Sequence, residues 1–155
     1  MNKERKEDLP LTEVMTHLLE ECRMVLPGIQ ALFGFQLIAV FNSSFSEKLT
    51  STEQYLHLAA IGLVAIAVAL VMAPAAYHRQ THPMEATKDF IQVATRLLLS
   101  SMIPLMFGIC LDFFIIARLI LNSRRLSLLL SLFLLSVFST LWFLYPRMNA
   151  PEKAV

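Results

Sequence analysis

The chain has 155 residues, 56% of them hydrophobic and only 16% charged, with a formal net charge of +1. So little polar cover, at a mean hydropathy of +0.60, excludes an ordinary soluble domain and fits an integral membrane protein. Dispersed basic residues at near-neutral balance give no support for nucleic-acid binding.

Charge is crowded into the gaps between four apolar stretches. Uncharged runs extend from Met24 to Ser46, Gln54 to His78 and Leu126 to Pro146, and a run from Leu97 to Leu121 is broken only by Asp112 and Arg118. Each is long enough to cross a hydrocarbon core, which takes roughly 20 helical residues. The fold expected is all-α: a four-helix transmembrane bundle forming a single domain over residues 1–155, with spans at about 26–45, 55–77, 97–121 and 126–145 and residues 1–25 as a cytoplasmic segment. No short apolar region precedes Met24, so the first span is expected to be retained rather than cleaved as a signal peptide. Cys22 and Cys110 imply no disulfide framework.

In chain order, Leu11, Val14, Met15, Leu18, Cys22 and Val25 recur at helical spacing and predict a short amphipathic helix. Its other face carries Glu13, Glu20 and Glu21, which suits packing on partner helices better than lying on an anionic membrane surface. Pro27 and Gly28 predict a hinge or a fresh helical start. The first span holds Gln30, Gln36 and Asn42, amides that should face protein or a hydrated cavity rather than lipid. Gln30 and Gln36 are six residues apart, about 120° around a helix, too far to share one narrow seam.

In the second span Gly62, Ala65, Ala69, Ala73 and Ala76 recur three or four apart and predict a small-residue packing face. Pro74 predicts a bend near its end. His57 is expected as a wet imidazole at the outer interface. The following loop carries His78, His82 and Glu85, which with His17, Glu20 and Glu21 form the one cluster able to suggest a metal site. Pro83 disfavours helical geometry at His82, so no metal and no cofactor are assigned.

A helix from Ala86 to Arg96 is expected to continue into the third span, where Asp112 is the unusual residue. A carboxylate at bilayer depth costs several kcal/mol unless it is paired, hydrated or protonated. Arg118 lies about 120° and 9 Å away along the helix, so it is expected to snorkel to the interface and leave Asp112 to Gln36, Asn42, a serine, water or another subunit. Gln30, Gln36, Asn42 and Asp112 are therefore the candidate intramembrane polar site. The fourth span has serines at 127, 131, 136 and 139 for close packing, and Trp142 and Tyr145 as an interfacial belt.

Orientation follows from Lys and Arg. Lys3, Arg5, Lys6, Arg23, Arg79, Lys88, Arg96, Arg147 and Lys153 share the side of both termini, against Lys48, Arg124 and Arg125 on the other, so both termini are expected to be cytoplasmic.

The stretch Glu21-Cys22-Arg23-Met24-Val25-Leu26-Pro27-Gly28-Ile29-Gln30-Ala31-Leu32-Phe33-Gly34-Phe35, with Ala73-Pro74 and Tyr77-His78-Arg79, resembles a bacterial family of small uncharacterised four-helix membrane proteins. Some members of that family carry a sodium:proton antiporter label. The resemblance marks Arg23, Pro27, Gly28, Gln30, Pro74, His78 and Arg79 as the positions to mutate first, and it implies a bacterial inner-membrane location. A chain this short lacks the inverted repeats and paired broken helices of such antiporters unless it assembles into an oligomer.

Three function classes follow. The expected role is an accessory or interaction subunit of the bacterial inner membrane, with the lipid bilayer and a membrane-protein partner or further copies of itself as partners. The alternative is a small oligomeric ion or proton channel or transporter using Asp112 and the first-span amides. An enzyme would need nucleophile, base or metal ligands converging at one depth, and none is evident.

Overall fold

A computed structural model describes residues 10–81 and 87–149. Among these the elements are α1 (Leu11–Val40), a short α2 (Ser43–Lys48), α3 (Ser51–Thr81), α4 (Lys88–Leu121) and α5 (Arg124–Ser139), which passes through a π-helical turn (Thr140–Leu144) into α6 (Tyr145–Met148). Four of these helical stretches are long and apolar enough to cross a membrane, and together they form an all-α four-helix bundle. At 1.5 Å per residue, the 34 residues of α4 extend about 50 Å. That exceeds the roughly 30 Å hydrocarbon thickness.

The amphipathic segment and the first span are one helix. α1 runs through Pro27 without interruption, so the fresh helical start expected as one outcome at Pro27-Gly28 is corrected. Proline removes one amide donor, but neighbouring contacts keep a transmembrane helix continuous past it. Leu18 and Cys22 are buried with Ile29 in one cluster with Val64, Val71, Phe90 and Ala94. The apolar face of the first three turns thus packs on α3 and α4 and extends the bundle core.

α3 and α4 form the centre, packing on each other more extensively than any other pair. α1 packs on α3 and to a lesser extent on α4, and α5 packs on α4. The buried seam of α3 is Ala60, Val64, Ala67, Val71 and Pro74. The small-residue face expected at Gly62, Ala65, Ala69, Ala73 and Ala76 is a correction, since Gly62, Ala65, Ala69 and Ala76 are exposed and Ala73 is only half-buried. Both stripes have helical spacing, and a partner's shape decides between two such stripes. α3 also continues through Pro74 to Thr81.

Gly108 is the shape that decides here. A methyl group on it would lie 2.9 Å from Val64 Cγ2 and 3.2 Å from the Ala60 carbonyl oxygen. The backbone of α3 comes this close only because Gly108 has no side chain. One turn further along α4, the same approach brings Asp112 within reach of α3. Gly108→Ala is expected to cost about 1–3 kcal/mol through overpacking, read as a lowered unfolding midpoint in detergent. Gly62→Ala, where nothing lies within 4 Å, should be neutral or slightly stabilising by helix propensity.

α4 ends at Asn122, which adopts the left-handed conformation with φ 49°. Asparagine tolerates that geometry better than most residues. Ser123 then caps α5, and the chain reverses within two residues. On α5, Ser131 donates a 2.7 Å hydrogen bond to the Cys110 carbonyl of α4, and Ser139 Oγ lies 3.6 Å from Met106 Sδ. Ser136, also expected to pack, is exposed and bonds within its own helix.

Candidate functional site

The polar groups gather at the end of the bundle where α1 leads through α2 into α3 and where α4 ends. Asp112 of α4 is held by two helices. Its Oδ2 accepts a hydrogen bond from Gln36 Nε2 of α1 at 2.5 Å, and its Oδ1 lies 2.9 Å from His57 Nδ1 of α3. His57 Nε2 lies 3.0 Å from the backbone carbonyl oxygen of Gln36. Gln36 and His57 are 4% and 7% exposed, so a ring of polar contacts ties three helices together inside an apolar shell.

The hydrogen bonds also define the protons. A carbonyl oxygen can only accept, so His57 Nε2 carries a hydrogen. Nδ1 faces a carboxylate oxygen, and one proton must lie between them, on the ring or on the carboxyl group. The pair is therefore net neutral, as imidazolium with carboxylate or as imidazole with carboxylic acid. A neutral imidazole beside an ionised Asp112 would leave two acceptors facing each other.

A second polar layer lies one turn outward. Glu53 of α3, 3% exposed, is ion-paired with Arg118 of α4. Its Oε2 also accepts from the backbone N–H and the hydroxyl of Thr50, each at 2.8 Å. Thr50-x-x-Glu53 is half of a capping box, in which the carboxylate at the third helical position returns to the capping residue's amide. Glu53 and His57 are four residues apart and share a face of α3. The antiparallel partners Arg118 and Asp112 meet them in reverse order.

Two expectations are corrected here. His57 is a buried member of the network, because Phe45 of α2 covers it with ring centroids 5.3 Å apart and both of its nitrogens have partners. Arg118 does not end in the interface as a lone snorkelling cation, because the buried carboxylate of Glu53 stands opposite it as an ion-pair partner. Within the predicted set Gln36 and Asp112 meet, whereas Gln30 is exposed and Asn42 is exposed and caps α2, its Oδ1 accepting from Ser44 N at 3.0 Å. Glu53 went unnoticed in the sequence. The Thr50-x-x-Glu53 spacing, with a histidine four residues on and an arginine ending a neighbouring span, was the available signal.

Of the positions marked by family resemblance, Pro74 is buried, His78 is half-buried against the Phe90 ring at 5.2 Å, and Arg23, Pro27, Gly28, Gln30 and Arg79 are exposed. His17 lies 3.9 Å from Glu13 and 3.8 Å from Glu20 on its own helix. His82 and Glu85 lie outside the described residues. Among the described residues no three His, Cys, Asp or Glu side chains converge as metal ligands.

Four long apolar helices enclosing a desolvated carboxylate–imidazole–amide network define a multi-pass membrane protein. The chain belongs to a family of unknown function, DUF6328, which matches residues 9–146. No curated protein and no solved structure matches it.

Proposed function

We propose that the chain is a non-enzymatic accessory or interaction subunit of the bacterial inner membrane, with both termini cytoplasmic, in which the Asp112 network is a binding site and not a stage on a conduit. The observation that carries this is the confinement of the network to one end of the bundle. Beyond Gly108 toward the other end, the buried polar groups among the described residues of α1, α3 and α4 are Ser101, which donates to Leu98 of its own helix, and the Nδ1 of His78 near the far end of α3, and no hydrogen bond links either of them to the Asp112 network. A route for ions needs polar groups in series across the core.

A second function has one observation in its favour. The proton held between His57 and Asp112 is what a carrier would exchange, and an oligomer could supply the missing half of a route. The two functions separate in proteoliposomes loaded with a pH-sensitive dye. Purified wild-type protein is expected to give no proton or sodium-driven flux above empty vesicles. Flux that disappears in Asp112→Asn would overturn the accessory role and establish transport.

A further inference from the structure

At the end of the bundle opposite the Asp112 network, the seam between α4 and the last helical stretch carries two arginines. Ser131 of α5 bonds to the Cys110 carbonyl of α4, and Ser139 approaches Met106. Carried on, that antiparallel register sets Trp142 beside Leu99 and brings Arg147 of α6 level with Arg96 of α4. A cavity of about 340 Å³ lies along the seam, walled by Leu99, Ser100 and Ile103 on one side and by Trp142, Phe143 and Arg147 on the other. Arg96 stands one turn from Ser100 on the same face of α4. Trp142 and Phe143 belong to the π-helical turn, a rare form that is frequent at functional sites.

Depth follows from α4 itself. Arg96 and Arg118 are about 33 Å apart along that helix at 1.5 Å per residue, close to the roughly 30 Å of a hydrocarbon core. With Arg118 near one boundary, Arg96 and Arg147 lie at the other, at headgroup level. Leu99 and Ile103, 51% and 47% exposed, continue the groove from there into the hydrocarbon and leave it open to lipid.

We propose that this groove holds an anionic phospholipid, its phosphate between Arg147 and Arg96 and one acyl chain along Leu99, Ile103 and Phe143. Neither arginine has an ion-pair partner among the described residues, and no Asp or Glu lines the groove. Guanidinium groups donate in the geometry that phosphate oxygens accept, and the Ser100 hydroxyl can add a third donor. Two uncompensated cations at one level select a headgroup of net negative charge, as basic pockets between membrane helices do, because the ammonium of a zwitterionic lipid meets their repulsion. The apolar floor below them favours a lipid over an acidic peptide, which would bring nothing to cover it. Glu21 lies in the adjoining cavity, which shares Leu99 and Trp142 with the groove, so the test also carries phosphatidylethanolamine, whose ammonium that carboxylate would attract.

Trp142 is the chain's one tryptophan, so its fluorescence reports on this groove alone. The full chain is reconstituted in phosphatidylcholine nanodiscs doped with phosphatidylglycerol, phosphatidylethanolamine or phosphatidylcholine carrying brominated acyl chains, which quench tryptophan on contact. Each arginine near a lipid surface contributes roughly a fivefold preference for anionic lipid. Brominated phosphatidylglycerol is therefore expected to reach half-maximal quenching at a mole fraction at least about tenfold lower than brominated phosphatidylcholine. Arg147→Gln and Arg96→Gln, both at exposed positions, should each reduce that preference about fivefold. Arg79→Gln removes the same charge at the same end of the bundle but from α3, and should leave the preference unchanged. Equal quenching by phosphatidylglycerol and phosphatidylcholine would overturn the proposal. So would phosphatidylethanolamine matching phosphatidylglycerol, or Arg79→Gln lowering the preference as much as Arg147→Gln, since the attraction would then be to the whole surface and not to the groove.

Discussion

Asp112→Ala is expected to destabilise the protein by about 2–3 kcal/mol, whereas Asp112→Asn should stay within about 1 kcal/mol of wild type. Alanine strands two buried groups, Gln36 Nε2 and His57 Nδ1. Each unsatisfied group costs about 1–3 kcal/mol in a folded interior, and interhelical hydrogen bonds in membranes average nearer 0.6 kcal/mol, which sets the combined figure. Asparagine can satisfy every member of the network: its oxygen accepts from Gln36, its amide donates to a neutral His57 Nδ1, and His57 Nε2 still donates to the Gln36 carbonyl. It removes only the proton that the pair shares. Unfolding midpoints in detergent for both variants check this. Equal destabilisation by the two would mean that the network does not hold Asp112 as described. The same contrast makes Asp112→Asn the right variant for flux measurements, because loss of function in it is not loss of fold.

The second large effect is an asymmetry at the outer layer. Arg118→Met is expected to cost about 3 kcal/mol, at the low end for breaking a buried ion pair, because it leaves the Glu53 carboxylate desolvated with only the donors of Thr50. Glu53→Gln should cost clearly less. Glutamine keeps an oxygen for Thr50, and the Arg118 side chain, 18% exposed against 4% for that of Glu53, can extend its guanidinium toward water. If the two substitutions cost the same, the pair is not the dry contact that the packing implies. Because Arg118 lies on the last turns of α4, its loss should also loosen the end of that helix near the Asp112 site, visible as faster hydrogen exchange around Asn122.

The two layers differ in how visible they were beforehand. Asp112 and Gln36 stood out because polar groups inside apolar runs are expensive, and the rotation between Gln30 and Gln36 already said that one narrow seam could not hold both. Glu53 and His57 did not stand out, since both lie near the start of a span, where a charged or wet residue is ordinary. What covers His57 is α2 and the residue after it: Phe45 and Leu49, in a stretch of mixed polarity, lie against that end of the bundle, while Glu53 is held by Thr50 and Arg118. Residues Ser43–Lys48 form only a six-residue helix, too short to announce itself by periodicity.

The packing stripe of α3 is the same lesson inside the core. Two stripes of small residues run along that helix, and helical spacing is equally good for both. Gly108, more than forty residues further along the chain on another helix, selects the one centred on Ala60 and Val64 by letting the backbones approach.

Composition and spacing by themselves determined that this chain is a set of four long apolar helices, because the hydrophobic requirement of a membrane span acts on each segment independently of the rest. They also determined that Asp112 must find partners, because a bare carboxylate at that depth is too costly. Only the tertiary structure decided that its partners are His57 and Gln36, that Arg118 belongs to Glu53, and that Gln36 Oε1 is left buried and unpaired. Those outcomes depend on the relative rotation and spacing of separate helices, which are set by close contact between side chains far apart in the chain.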